Sequence, residues 1–268
     1  MKSLNEIEKS IITKFRPVIY RKFAKAVDKY NMIQDGDRIA ICISGGKDSF
    51  LLAKCMQEIQ KHGKIKFELE FINMDPGYPK EVSEEIISLS KCLGLNLHYY
   101  RTDFFKIAAK QNRGKCYLCS RMRRGSLYEA AEKLKCNKIA LGHHFDDVIE
   151  TVLLNVLWGG QYKTMMPKLK SDNFNDMELI RPLCLVEEKE IIAWGEYNNL
   201  KFVNPDCPIN EDGEDNSKRA LVKDLILDLE KYNPNVKKSI YRSSENVHLG
   251  AVIQYKSKGE YFNFLDKY

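Results

Sequence analysis

Arg38-Ile39-Ala40-Ile41-Cys42-Ile43-Ser44-Gly45-Gly46-Lys47-Asp48-Ser49 changes character at its middle. The first half is a continuous apolar run with β-branched residues, the pattern of a strand buried on both faces of a parallel sheet. The second half is a glycine turn, and Phe50 to Lys61 has helical character. Further along, Phe67–Met74, Leu95–Tyr100 and Lys138–Leu141 predict strands. Glu81–Leu93, a segment within Cys116–Leu134, and Asp146–Trp158 predict helices. Strands alternating with helices predict an α/β fold with a doubly wound, mainly parallel sheet.

Upstream, Ile7, Ile11, Phe15, Ile19, Phe23 and Val27 recur every fourth residue and predict an N-terminal helix, which Pro17 kinks or splits. Downstream of Trp158 the regularity weakens. Gly159-Gly160 and residues 170–176 read as loops, Leu179–Leu183 as extended, Glu187–Asn198 as a helix, residues 210–216 as an acidic loop, and Ser217–Tyr232 as a helix stopped near Pro234. The expected organisation is an N-terminal helical segment (1–34), a nucleotide-type domain (35–204) and a small helical C-terminal region (205–268).

The chain has 268 residues, room for one large domain or one plus an appendage. Its 43 basic and 37 acidic residues leave +6, which permits a polyanionic partner without demanding one. The first 15 residues carry charges in every turn and no apolar core of a signal peptide. No apolar run is long enough to span a membrane. The expected location is therefore cytoplasmic, where the eight cysteines stay reduced and most serve as small buried hydrophobes.

Three clusters carry chemistry. In Ser44-Gly45-Gly46-Lys47-Asp48-Ser49, glycines let backbone N–H groups approach a ligand, and a helix N-terminus adds unpaired donors and partial positive charge. With two hydroxyls and a lysine this is a phosphate cradle, distinct in spacing from the Walker A loop and from G-x-G-x-x-G. Gly142-His143-His144-Phe145-Asp146-Asp147 follows another apolar strand, where α/β sheets collect ligands. Its carboxylates can hold Mg2+, or Asp146 or Asp147 can cap the following helix. Asp75 closes the second strand, either beside the ligand pocket or as the turn former before Pro76-Gly77. Cys116-Tyr117-Leu118-Cys119 reads equally as a redox pair, half of a zinc site, two ligands of an iron–sulfur cluster or a structural pair. Arg121, Arg123 and Arg124 follow at once; they lower the cost of a thiolate and offer forked grips for phosphate.

SGGKDS resembles the PP-loop of the ATP pyrophosphatase superfamily. SGGKDS, C-x-x-C-x-R-x-R-R-G and GHH-x-DD-x-x-ET in that order resemble the tRNA 2-thiocytidine synthetase family, over roughly residues 1–245. The resemblance implies an adenine-nucleotide α-hydrolase-like fold and an enzyme that splits ATP between the α- and β-phosphates. It implies transfer of AMP to C2 of a tRNA cytidine, at position 32, and replacement of that oxygen by sulfur. ATP would be held by Ser44, Gly45, Gly46, Lys47, Asp48, Ser49, Asp75, Gly142, His143 and Asp147, with Mg2+. Lys47, Asp48, Arg123 and Asp146 would act in catalysis, and Arg121, Arg123 and Arg124 on RNA. A [4Fe-4S] cluster would be held by Cys116, Cys119 and Cys207, with Cys184 the rival third ligand. The sulfur donor would be sulfide or a cysteine-desulfurase-derived persulfide, and the chain a homodimer. The acidic loop 211–215, the lone Cys207 and residues 250–268 depart from the family pattern. The related tRNA 2-thiouridine synthetases carry terminal zinc fingers, whereas this chain has no cysteine before 42 or after 207. Lysidine synthetases lack the C-x-x-C, and a non-catalytic iron–sulfur or zinc RNA-binding module would release no pyrophosphate.

Overall fold

The computed structural model of the chain describes residues 1–111, 114–174, 176–203 and 214–268, the side chains of 214–217 and 267 excepted. Two compact units divide it: Met1–Val148 with Met165–Ser217, and Ile149–Thr164 with Lys218–Tyr268.

The first unit is built on β1 (Arg38–Cys42), β2 (Glu68–Asp75), β3 (Leu97–Arg101), β4 (Lys138–Ala140), β5 (Lys168–Lys170) and β6 (Glu178–Ile180). They form one sheet in the order β3-β2-β1-β4-β6-β5. All neighbours run parallel except β5, which lies antiparallel to β6 at the edge. The apolar run that decides the fold is thus central. Ile39 and Ile41 are fully buried, and Ala40 joins a core cluster with Ile72, Leu127, Ala131 and Ile139 on the opposite face. The chain reverses its direction of build at β1, with β2 on one side and β4 on the other. That switch point is where an open α/β sheet leaves a crevice at its carboxyl strand ends.

Helices α1 (Leu4–Ile12), α2 (Arg21–Lys29), α3 (Lys47–His62), α4 (Lys80–Cys92), α5 (Phe104–Ala109), α6 (Lys115–Lys133), α7 (Phe145–Leu157) and α8 (Glu188–Tyr197) accompany the sheet, α7 continuing into the second unit. Ser3 and Glu6 close a reciprocal cap on α1. The predicted N-terminal helix is split at Pro17 by a π-helical turn, Arg16–Tyr20. A four-residue stripe drifts around a continuous α-helix, and the wider π turn takes up that drift. All six stripe residues are accordingly buried. Strand β5, which ends on the first residue of the expected 170–176 loop, and α5 are not anticipated by the sequence pattern.

The second unit contains α9 (Glu214–Tyr232) from Lys218 onward, α10 (Val236–Ser243) and a hairpin of β7 (Gln254–Ser257) and β8 (Glu260–Asn263). The region expected to be helical therefore ends in strands. Lys258 and Gly259 both have positive φ, 50° and 90°, the signature of the two-residue turn that matches strand twist. No helix among the described residues is long and apolar enough to cross a membrane.

Candidate functional site

The loop after β1 and the loop after β4 meet at the switch point. There they border a cavity of about 470 Å³, lined by Ser44, Asp48, Ser49, Gly142, His143 and Asp147 from the two motifs. Helix α6 closes one side with Ser120, Arg123, Arg124 and Leu127.

The first loop is ordered by its own hydroxyls. Ser49 Oγ accepts the Ser44 N–H at 3.2 Å and donates to the Gly46 carbonyl at 2.9 Å. Gly46 is the N-cap of α3 and has no side chain to occupy the orphan amides of the first helical turn. Gly45 has φ +97°, a conformation that disfavours any side chain. Gly142 lines the cavity and also lets the second loop lie against the backbone of Asp48 and Ser49.

Lys47 reaches Asp48 at 3.3 Å and Glu188, at the start of α8, at 3.0 Å. Burial alone would lower its pKa, but the two carboxylates outweigh it and hold the ammonium above its ordinary range. Burial pushes the Asp48 carboxyl up, against the pull of His144 and Lys47. Asp48 Oδ1 is buried with no hydrogen-bond partner.

His144 and Asp147 cap α7 reciprocally. The His144 N–H donates to the Asp147 carboxylate at 2.9 Å, and the Asp147 N–H donates to His144 Nδ1 at 3.4 Å. Asp146 accepts the Glu188 N–H at 2.7 Å, fixing the first turn of α8. It is buried and is not among the residues that line the cavity. His143 accepts from Arg181 Nε at 3.3 Å, and burial lowers the Arg181 pKa.

Asp75 takes the turn role. Its Oδ1 accepts the N–H groups of Gly77 and Tyr78 at 2.8 and 2.7 Å, and its Oδ2 accepts from the hydroxyls of Ser83 at 2.7 Å and Tyr99. Burial raises its pKa, but these four donors outweigh burial and hold the carboxyl below its ordinary range. It is not among the residues that line the cavity.

On α6, Cys116 is exposed and Cys119 buried. Residues three and four apart share a helix face, so Cys116, Cys119, Ser120, Arg123 and Leu127 form one stripe whose last three members line the cavity. Two soft thiolate donors one turn apart suit a cluster or a soft metal. Cys207, the expected third thiolate, lies outside the described residues, and Cys184, its rival, is fully buried. No set of three or more His, Cys, Asp or Glu is gathered for a metal among the described residues. Asp48 and Asp147 still suit Mg2+, which takes one or two carboxylates and completes its shell with water and substrate phosphates.

Several lining residues are not singled out by the sequence: Cys42, Met74, Ser120, Leu127 and Leu141. Cys42 and Met74 are at or next to the carboxyl end of a strand, and that position was the available signal. Arg121 borders a different groove.

A PP-loop domain model matches residues 16–226. The tRNA-cytidine(32) 2-sulfurtransferase 1 of Francisella tularensis subsp. novicida (strain U112) is 40% identical over 250 residues, 91% of this chain and 91% of that protein. The tRNA-cytidine(32) 2-sulfurtransferase of Geobacter sulfurreducens is 40% identical over 235 residues, 85% of this chain and 90% of that one. Among solved structures, the U34-tRNA thiolase NcsA from Methanococcus maripaludis with its [4Fe-4S] cluster matches with a TM-score of 0.68 and 25% identity, over 84% of this chain and 76% of that chain.

Proposed function

The chain belongs to the PP-loop domain family and to the tRNA-cytidine(32) 2-sulfurtransferases, and on that premise we propose that it is an ATP-dependent tRNA sulfurtransferase acting on C2 of cytidine 32. The observation that carries the reading is the α6 stripe, which runs from two thiols to Ser120 and Arg123 in the wall of the cavity that both phosphate-type loops border.

ATP takes the cavity with its phosphates on the first-turn amides of α3 and on Ser44 and Ser49. Asp48 and Asp147 would hold Mg2+, with Asp48 Oδ1, buried without a hydrogen-bond partner, available to it. The C2 oxygen of the cytidine attacks the α-phosphorus, the bond to the β-phosphate breaks, and pyrophosphate leaves. Lys47 and the loop amides hold the charge that develops on the phosphates. A sulfur nucleophile then adds at C2, and AMP departs with the former cytidine oxygen. Arg123 positions the adenylated base against the α6 stripe. Cys116, Cys119 and Cys207 would hold a [4Fe-4S] cluster, which supplies the sulfur chemistry when bound.

The same reading makes 35–204 the ATP domain, with 1–34 bracing it and 205–268 giving the third thiolate. We extend it to a cytoplasmic homodimer fed by sulfide, or by a persulfide whose outer sulfur a thiol reductant releases as sulfide. A loop base costs less to present to a closed site than a paired one.

The test is anaerobic purification with iron, sulfide and visible-absorption assays, followed by turnover with tRNA, ATP, Mg2+ and sulfide. Two expected results are pyrophosphate release and 2-thiocytidine by nucleoside mass analysis. The cluster should be lost in Cys116→Ala, Cys119→Ala and Cys207→Ala. A chain that holds only zinc, or that releases no pyrophosphate, overturns the proposal.

A further inference from the structure

Helix α6 has a second working face. Tyr117, Arg121, Arg124 and Tyr128 follow one another at helical spacing, and they border a groove of about 360 Å³ whose other wall is residues 169–174. The floor is rigid. Tyr128 is buried and stacks on Phe174 with ring centroids 4.9 Å apart. The facing loop is ordered by Ser171 Oγ, which accepts the N–H groups of Asn173 and Phe174 at 3.4 and 3.2 Å.

The rim differs from the floor. Tyr117 is 72% exposed, an orientation that contributes nothing to the core. Arg121, Arg124 and Lys170 are exposed around the same groove, and Asp172 is the single acid among its lining residues. An exposed ring among cations is the composition of a single-stranded nucleic-acid platform, where the ring stacks a base and the cations hold the backbone. Arg124 lines both this groove and the cavity, so the two adjoin across one helix. A strand whose target base enters the cavity must carry its neighbouring nucleotides away over α6.

We propose that this groove holds the RNA nucleotides flanking the target base, with Tyr117 stacking a base and Arg121 and Lys170 holding backbone phosphates. The inference rests on the tRNA sulfurtransferase reading and adds a subsite to it.

The test is equilibrium binding of a tRNA transcript, by fluorescence anisotropy, over a series of salt concentrations. Tyr117→Ala should weaken binding about tenfold without changing the salt dependence, and Tyr117→Phe should restore it. Arg121→Ala with Lys170→Ala should flatten the slope of log K against log salt by about 1.4, two single-strand phosphate contacts. Titration with ATP confirms that each variant is folded. Should the wild type bind tRNA and both variants match it in affinity and slope, the groove is a solvated face and the subsite is refuted, while the sulfurtransferase reading stands. Should Tyr117→Phe bind as poorly as the alanine variant, the stacking role is refuted. A wild type that binds ATP but no tRNA removes the functional reading and the groove with it.

Discussion

A β-carbon on Gly142 would fall 3.0 Å from the Asp48 carbonyl carbon and 3.1 Å from the Ser49 nitrogen. Two motifs far apart in the chain are thus locked backbone to backbone, with no side chain between them. Contacts that short to backbone cannot be relieved by turning a rotamer, so the loops must separate. Gly142→Ala is expected to cost about 1–3 kcal/mol of stability, the range for overpacking a tight site. ATP affinity should fall at least about tenfold, because phosphate donors act only while held in place. Calorimetric titration with ATP and thermal denaturation measure both. Wild-type ATP affinity in this variant would mean that the two loops bind independently.

The four donors on Asp75 make a second expectation. Asp75→Asn presents an amide to groups that need an acceptor, and leaving buried donors unmatched costs about 1–3 kcal/mol. Thermal denaturation should show that loss, and Tyr99→Phe a smaller one. ATP affinity should stay within about twofold of wild type, since the carboxylate does not border the cavity. Full stability with lost ATP binding would return Asp75 to the nucleotide site.

How far the sequence carried this picture depends on the range of each interaction. The β1 run and the two loops were legible because local pattern alone dictates a buried strand, a glycine turn and a helix start. Pro17 marked its break for the same reason. Asp75 was ambiguous because a turn former and a nucleotide ligand occupy the same strand-end position, and its hydrogen bonds with Ser83 and Tyr99 arise only in the fold. The Lys47–Glu188 pair and the seat of Asp146 on α8 were not readable, since the fold creates both. The C-terminal hairpin was readable in principle. Lys258-Gly259 between Tyr255 and Tyr261 is a turn signal, obscured by the helical pattern before it.

Glu187 sits between Lys22 and Lys189, each at 2.8 Å. Burial would raise its pKa, but the hydrogen bonds from Lys189 and Lys22 outweigh that and bring the carboxyl down to about 2. A depressed carboxyl pKa stabilises the fold above the ordinary value of 4.5, and the gain is lost as pH falls toward 2. Glu187→Gln should therefore cost about 1 kcal/mol at neutral pH, after allowance for partial solvent screening. The difference from wild type should close between pH 4.5 and 2. Denaturant unfolding across that range reads it directly, and a pH-independent difference would assign the effect to packing.

Asp48 has the opposite sign. Its carboxyl pKa is raised, chiefly by burial, so the native state resists its ionisation. The penalty is absent below the ordinary value of 3.8 and grows as pH rises through the folded value. Asp48→Asn should therefore stabilise the nucleotide-free protein at neutral pH, raising Tm by about 2 °C, or roughly 1 kcal/mol for a chain of this size. That gain should vanish in acid. The same substitution removes a proposed Mg2+ ligand and should lower pyrophosphate release about 100-fold or more. A functional carboxylate held at a cost to the fold gives this opposition of stability and activity. Scanning calorimetry at pH 7 and pH 3.5, together with a pyrophosphate assay, tests both arms. A variant that is less stable at pH 7 would show that the pull of Lys47 and His144 on Asp48 exceeds the cost of its burial.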